Sequence, residues 1–323
     1  MKRPLRKVAW FLGALAVVAV ILVIVLIIQF LKPTPPPPGP PTTSPPSSSP
    51  QRPKAQSADC PDVLVVSVPG TWESKPNDDP YRPAANPRSL MLRVTKVLQD
   101  RFPQARAEVY TVPYLAQFRN PTVLTDRQRD YNDSRAQGKR RTVAEIRETN
   151  EKCPLTTYVL MGFSQGAVIV GDIASDIGNG RGPIAERDQD LVLGVGLIAD
   201  GRRQAGGQHD VGPVPPGVGA EIALGGFGSL VGGITMTGAR PGGFGDLKDR
   251  TYTICAPGDL ICDSPTAANG LGAVGQLAGA VNNPVHAMYA TKRYWSIDGR
   301  SATQWMLGWS SRLIEQAPHP KHS

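Results

Sequence analysis

The chain has 323 residues, of which 40% are hydrophobic and 6% aromatic, enough for one large globular domain or two small ones. The formal net charge of +8 suggests a nucleic-acid partner, but 7 of the 35 basic residues and none of the 27 acidic ones lie in residues 1–55. The remaining chain is nearly neutral. Because nucleic-acid binding requires a basic face, we expect no nucleic-acid partner.

The N-terminus has the pattern of a membrane anchor. A basic segment, residues 1–7, precedes an apolar stretch, and residues 8–28 include no charged side chain. A helix of that length spans about 30 Å, the thickness of a bilayer's hydrocarbon core. A cleaved signal peptide usually has only about 7–15 apolar residues before a small-residue cleavage site. We therefore predict an uncleaved, single-pass transmembrane helix at 8–31, with residues 1–7 in the cytoplasm and the rest on the extracytoplasmic side of the cell membrane.

A proline-rich linker is predicted at residues 32–58. Residues 33–53 alone contain 11 prolines. This composition favours an extended polyproline II spacer, at about 3.1 Å per residue, over a packed core. We predict that it lifts a folded domain, residues 59–316, away from the membrane, and that a disordered tail follows at 317–323.

Four cysteines lie in the predicted exported part, at Cys60, Cys153, Cys255 and Cys262. An even number in an exported domain indicates two disulfides, and four cysteines allow three connectivities. The C-x2-C and histidine spacings of a zinc site are missing near the 255–262 pair, so we expect no metal.

Short apolar strands alternate with helical patterns along the domain, and several strands are apolar throughout. Strands are predicted at 62–69, 105–113, 156–161, 191–199 and 250–255, and helices at 88–101, 134–151, 166–177 and near 305–313. This alternation predicts an α/β fold with a mostly parallel sheet.

The segment 201–250 contains 15 glycines. A structureless stretch of this length is uncommon in a compact domain. Two interpretations stay open: a mobile loop near a binding site, or a tolerated surface insertion.

The sequence GFSQG at residues 162–166 matches the G-x-S-x-G pattern. It lies between a predicted strand and a predicted helix of small residues. A sharp turn there exposes the hydroxyl of Ser164, and the backbone N–H of Gln165 then points at a developing oxyanion. In this context the motif predicts a serine nucleophile.

A serine nucleophile needs a base, and the chain has only four histidines. His286 is favoured because it follows every candidate acid, as this kind of fold requires. His209 is the second choice, and its location in the glycine-rich segment suggests an exposed loop residue. His319 and His322 lie in the predicted tail.

The orienting acid is expected at a strand end after the nucleophile. Asp259, in CAPGDLIC at residues 255–262, lies shortly after the second strand that follows Ser164. Asp200 and Asp263 compete with it, although a carboxylate at a strand end is most often a turn or cap residue.

The GFSQG motif, the CAPGDLIC loop, the later histidine and the two outer cysteines together resemble the cutinase family of serine esterases, especially the cutinase-like proteins of mycobacteria and relatives. The resemblance covers about residues 59–315. It implies a three-layer α/β-hydrolase fold, a Ser164–His286–Asp259 triad and an oxyanion hole that includes Thr71. It also implies disulfides Cys60–Cys153 and Cys255–Cys262, the second bracketing the catalytic acid.

The expected activity is hydrolysis of acyl esters by an acyl-enzyme, without a cofactor, by a protein favoured to be a monomer. The predicted anchor suggests lipid esters or acyl thioesters as substrates. Two alternatives stay open: acyl transfer to an envelope hydroxyl, and a non-catalytic envelope-binding module. The segment 201–250 and the 27 residues from Asp259 to His286 are longer than in minimal members, which leaves the substrate open.

Overall fold

The computed structural model describes residues 52–120, 123, 125–225, 232–266, 270–281 and 283–323. The predicted helix at 8–31 and the linker up to residue 51 lie outside this range. Within the described part of the chain, no helix combines the length and hydrophobicity that crossing a bilayer requires.

The described chain has six strands and six α-helices. The strands are β1 (Val63–Val68), β2 (Ala107–Thr111), β3 (Thr157–Phe163), β4 (Val192–Ile198), β5 (His209–Asp210) and β6 (Thr251–Ile254). The helices are α1 (Leu92–Arg101), α2 (Tyr131–Lys152), α3 (Gln165–Gly178), α4 (Ala220–Ala223), α5 (Gly270–Val281) and α6 (Ala302–Gln316). Strands and helices alternate along the described chain except that β5 follows β4 and α6 follows α5 directly.

The strands form one sheet in the order β2-β1-β3-β4-β6-β5, and all described pairings are parallel. The predicted parallel sheet is confirmed. β3 lies inside the sheet between β1 and β4, and its carboxyl end is where the GFSQG turn begins. Functional side chains of such sheets gather at the carboxyl ends of the strands.

Helices cover both faces of the sheet and make three layers. In β1, Val63 and Val65 enter one core, where they join residues of α1 and α6 such as Met306. The alternate residues, such as Leu64, enter the other core with residues of α2 and α3, such as Ile169. Because both faces are buried, the inner strands β1 and β4 are mostly apolar rather than alternating.

The observed elements differ from the predicted ones mainly at their ends. The helix predicted to begin at residue 88 begins at Leu92, because residues 86–90 form a turn in which Asn86 accepts hydrogen bonds from the backbone of Arg88 and Ser89. The two-residue β5 was not predicted, since a strand so short has no periodicity to detect.

The prediction of a disordered tail at 317–323 is wrong. The buried carboxylate of Asp62 accepts hydrogen bonds from His319 and His322, each at 2.9 Å, and from Arg106 at 2.8 Å. The backbone of the tail also pairs with Gln56. Charge pairing therefore holds a segment whose composition alone suggested disorder.

The folded domain also begins earlier than predicted, within the segment assigned to the linker. Arg52 donates hydrogen bonds to Asp188 and Asp190 at 2.8 Å, and Gln56 is buried. Residues 52–58 therefore belong to the domain surface.

Candidate active site

Ser164 occupies a sharp turn between β3 and α3. Its backbone has φ of 55°, a conformation that costs energy for any residue with a side chain. Close packing enforces the turn: a Cβ on Gly166 would lie 2.0 Å from the carbonyl oxygen of Val68, and one on Gly162 would lie 2.4 Å from that of Gly166. Only glycine fits at either position, so the turn presents the serine hydroxyl as the motif requires.

Three side chains predicted from the sequence meet at this turn. The Nε2 of His286 lies 2.8 Å from the Oγ of Ser164. The other ring nitrogen, Nδ1, lies 2.9 Å and 3.1 Å from the two carboxylate oxygens of Asp259. Because an ionised carboxylate only accepts hydrogen bonds, Nδ1 donates to Asp259, and Nε2 is left to accept the serine proton. Phe163 stacks on the imidazole with ring centroids 5.0 Å apart and limits its orientation.

The loop after β6 holds Asp259 in a fully buried position. A disulfide joins Cys255 to Cys262 across the loop. The hydroxyl of Tyr289 accepts from the backbone N–H of Ala256 at 2.9 Å and donates to the Asp259 carboxylate at 2.7 Å. The loop is thus closed covalently and braced from the histidine segment.

The carboxyl group of Asp259 is ionised despite its burial. Desolvation by burial raises the pKa, but the positive charge and hydrogen bond of His286 and the hydrogen bonds of Tyr289 and Ile261 lower it more. The net result is a pKa below the ordinary value. Asp259 can therefore both orient the imidazole and stabilise its cation.

Two backbone features beside Ser164 are suited to an oxyanion. Gln165 is the first residue of α3, so its N–H has no acceptor within the helix. Thr71 lies on the same pocket wall as Ser164, and Trp72, the next residue, has φ of 65°. The amide of Asn86 donates to the carbonyl of Trp72 at 3.1 Å and fixes this turn.

Glu73 braces the turn from within. Its carboxylate accepts hydrogen bonds from the backbone of Gly70 at 3.0 Å and of Leu90 at 2.5 Å, and from the hydroxyl of Ser89 at 3.0 Å. Desolvation raises its pKa above the ordinary value, although these hydrogen bonds oppose the shift. Glu73 thereby ties the Thr71 turn to the segment that precedes α1.

A cavity of about 420 Å³ opens over Ser164 and His286. The two long segments noted in the sequence form part of its wall: residues 201–250 contribute Glu221 and Met236, and the chain between Asp259 and His286 contributes Ala280. Described residues of the glycine-rich segment therefore lie beside the site, as the first of the two interpretations expected, and the mobility in that interpretation stays a prediction.

Buried ion pairs hold the glycine-rich segment in place. Arg240 bonds Asp172 of α3 at 2.9 Å and Asp200 at 2.6 Å. Arg202 bonds Asp172 at 2.7 Å. These pairs connect the segment to α3, the helix that directly follows Ser164.

The competing residues lie elsewhere in the fold. Asp200 is paired with Arg240, and Asp263 accepts hydrogen bonds from the backbone of Gly217 and Gly258, both at 2.8 Å. His209 is exposed and stacks on Tyr252 at the sheet edge. The two tail histidines lie against Asp62, as described above.

Sequence reasoning missed Tyr289, Glu73 and Phe163. Phe163 is inside the recognised motif, and Tyr289 is three residues after His286, so proximity in sequence was the available signal. Nothing in the sequence indicated that Glu73 joins two separate turns.

The second disulfide, Cys60–Cys153, connects the segment before β1 to the end of α2, across a sequence separation of 93. Both pairings implied by the family resemblance are present. This second bridge lies at the ends of elements, whereas Cys255–Cys262 encloses a functional loop.

Residues 83–293 match the family model described as Cutinase. A carboxylesterase Culp6 homolog of Corynebacterium glutamicum is 44% identical over 268 residues, which cover 81% of this chain and 84% of the relative. Among solved structures, the catalytic core of a Trichoderma reesei acetyl xylan esterase has 19% identity and a TM-score of 0.46, over 71% of this chain and 98% of that one. A cutinase-like protein from Cryptococcus sp. has 18% identity and a TM-score of 0.43, over 83% of this chain and 100% of that one.

Proposed function

The chain belongs to the cutinase family of serine esterases, and on that premise we propose that it hydrolyses acyl esters with Ser164, His286 and Asp259 as a catalytic triad. The observation that carries the proposal is the 2.8 Å contact between the serine hydroxyl and a histidine nitrogen whose opposite nitrogen is held by a buried carboxylate. The carboxylesterase name of the Corynebacterium relative supports the same reaction class.

Acylation begins when Nε2 of His286 removes the proton of Ser164. The serine oxygen forms a bond to the ester carbonyl carbon, and the carbonyl oxygen takes the negative charge. The imidazolium, stabilised by Asp259, then gives its proton to the departing alkoxide. The alcohol leaves, and an acyl-serine ester remains.

The N–H of Gln165 and Thr71 bind the oxyanion in this proposal. Their positions beside Ser164 support the assignment, because donors fixed before the reaction need no reorganisation when charge develops. Loss of one such donor typically costs about 100- to 1,000-fold in turnover.

Deacylation repeats the same steps with water as the nucleophile. His286 removes a proton from water, the hydroxyl oxygen attacks the acyl carbon, and the proton returns to Ser164. The carboxylic acid is released, and every group regains its initial protonation state.

We further propose lipid acyl esters as substrates. The cavity over the triad accommodates an acyl chain, and the apolar segment 8–31, outside the described residues, would place the domain beside a membrane. These features support a lipid substrate and an extracytoplasmic location.

The test compares purified wild-type protein with Ser164→Ala and His286→Ala on p-nitrophenyl butyrate. We expect each variant to lose about 10⁴-fold or more in kcat, because the triad acts as a unit. Circular dichroism and thermal unfolding verify that both variants are folded. Equal turnover by wild-type protein and Ser164→Ala would contradict the proposal.

A further inference from the structure

Two arginine side chains line the cavity over Ser164 and have no partner in the described part of the chain. Arg88 and Arg93 both lie on the cavity wall. Neither guanidinium makes a hydrogen bond, an ion pair or a ring contact with any described residue. Both are exposed. The entrance to the triad therefore has two positive charges that no described residue neutralises.

The acidic residues of the same cavity are already occupied. The carboxylate of Glu73 accepts three hydrogen bonds from its own turn and from Ser89 and Leu90. The carboxylate of Glu221 pairs with Arg135 at 2.7 Å and accepts from the Tyr131 hydroxyl at 2.5 Å. Neither carboxylate is available to Arg88 or Arg93.

The backbone that bears Arg88 is fixed relative to the reactive serine. On its N-terminal side, Asn86 donates to the carbonyl of Trp72, and on its C-terminal side the hydroxyl of Ser89 donates to Glu73. Both partners belong to the turn that begins at Thr71. Arg88 thus extends from a segment bonded to the proposed oxyanion hole, so a ligand bound to it has a defined position.

Arg93 is equally fixed through α1. It is the second residue of that helix, between the buried Leu92 and Val94. Packing of these neighbours in the core sets the direction of its side chain. Two arginines on well-fixed backbones beside one cavity form a site, whereas arginines on loose termini would not.

No hydrogen bond or ion pair with a described residue accounts for these two guanidinium groups. A guanidinium offers planar, paired N–H donors that match the oxygens of a phosphate, and such charge-assisted hydrogen bonds are stronger than neutral ones. We propose that Arg88 and Arg93 form an anion subsite that binds a phosphate of the acyl-ester substrate and thereby selects charged esters over neutral ones. This inference rests on the proposed esterase function.

The phosphate has two chemical sources, the head group of a lipid and the soluble part of an acyl thioester. Two matched pairs of substrates distinguish them. The lipid pair is monomeric dihexanoylphosphatidylglycerol and dihexanoylglycerol. The thioester pair is butyryl-coenzyme A and butyryl-N-acetylcysteamine. In each pair the acyl group is the same and only one member carries phosphate.

The measurement is the ratio of kcat/KM, charged over neutral, within each pair. We expect Arg88→Gln/Arg93→Gln to lower the ratio by roughly tenfold or more in at least one pair, with a rise in KM for the charged member. Added salt should lower the wild-type ratio, because the site is exposed and screened. Arg140→Gln, which removes an exposed arginine of α2 that is absent from the cavity wall, should leave both ratios unchanged.

The pair in which the ratio falls identifies the source of the phosphate. The subsite is overturned if the double variant leaves the ratio of kcat/KM unchanged in both pairs, or if it loses activity equally on the charged and neutral members. In that case, turnover of a neutral ester above that of Ser164→Ala keeps the esterase proposal intact. If wild-type protein hydrolyses p-nitrophenyl butyrate but none of the four substrates faster than Ser164→Ala, the subsite is overturned and the esterase proposal stands. If it hydrolyses neither p-nitrophenyl butyrate nor any of the four faster than Ser164→Ala, the esterase proposal fails and this inference fails with it.

Discussion

The nucleophile and the acid of the candidate triad both follow strands of the same sheet, but different forces hold them. Ser164 is held by close backbone packing, which leaves no room for a side chain at Gly162 or Gly166. Asp259 is fixed by a disulfide and by the hydroxyl of Tyr289. The position of the nucleophile therefore depends on close packing, and that of the acid depends on bonds that reduction or a single substitution can remove.

The largest expected effect comes from a substitution that disrupts the packed turn at Ser164. In Gly166→Ala the new Cβ would lie 2.0 Å from a backbone oxygen of β1, so the turn must move. Displacement of a reacting group by about 1 Å can cost about 100-fold in rate. We expect at least that loss in kcat/KM for p-nitrophenyl butyrate, with a destabilisation of about 1–3 kcal/mol.

Gly308→Ala in α6 is the matched control. Its new Cβ meets nothing closer than 3.6 Å, so we expect unchanged activity and a slight rise in stability, by about 0.5–1 kcal/mol, from better helix propensity. Full activity of Gly166→Ala would show that the turn is not sterically enforced.

The two disulfides are expected to differ in whether their loss mainly lowers turnover or mainly lowers stability. Replacing Cys255 and Cys262 by alanine should lower stability by about 2–3 kcal/mol in the chain-entropy model. It should also lower kcat by about 10- to 100-fold, because the loop that positions Asp259 is no longer closed. Replacing Cys60 and Cys153 should cost about 4–5 kcal/mol, since the closed loop is longer. The protein that stays folded should then keep its turnover.

Urea unfolding and active-site titration separate the two effects of these paired variants. Dithiothreitol should likewise impair turnover before global unfolding. If kcat per folded molecule is unchanged when mass spectrometry shows the 255–262 bridge open, that bridge does not position Asp259 for catalysis.

Tyr289→Phe removes the hydroxyl that helps to hold Asp259 and leaves the rest of the side chain in place. The variant leaves the Ala256 N–H without its acceptor and removes the donor to Asp259. Tyr289 acts through Asp259, so we expect kcat to fall about 3- to 30-fold with little change in KM. A fall in kcat/KM that comes entirely from KM would assign Tyr289 to substrate binding instead.

The smallest expected effect lies far from the nucleophile and the acid, at the tail. Burial raises the pKa of Asp62, but Arg106, His322 and His319 lower it more, so its net pKa is below the ordinary value. The ionised Asp62 therefore stabilises the folded state above about pH 4, and this contribution is lost as the pH falls through the lowered pKa. The hydrogen bond to Asp62 raises the pKa of His322 above its ordinary value. The contribution of protonated His322 to the stability of the fold is therefore complete below about pH 6.5 and is lost as the pH rises through the raised pKa.

His322→Gln should therefore lower the melting temperature most near pH 5 and less near pH 8. His322 is solvent-exposed although Asp62 is buried, so the difference should be only about 1–2 °C. Esterase activity at a fixed, permissive temperature should not change. An equal shift at both pH values would exclude the ionic contribution of this histidine.

Much of the architecture is predictable because it follows from local rules. The runs around Val65 and Val195 are mostly apolar since both faces of a parallel sheet are covered, and the order of motifs placed Ser164, Asp259 and His286 in one candidate site. Each of those inferences uses neighbours in sequence or a known order of elements.

The remaining features depend on contacts between distant segments. Glu73 gains its role only when the turn after β1 meets the segment before α1, and the tail becomes ordered only because Asp62 lies beneath it. Arg88 joins the cavity over Ser164 only because the fold brings its segment there. Such long-range pairings leave no periodicity in the sequence.

The most direct test of the central claim is labelling with a fluorophosphonate, followed by peptide mass spectrometry. We predict one adduct, on Ser164, that is absent in Ser164→Ala and forms at least about 1,000-fold more slowly in His286→Ala, because the histidine activates the hydroxyl. Labelling of a different residue, or an equal rate in His286→Ala, would contradict the account.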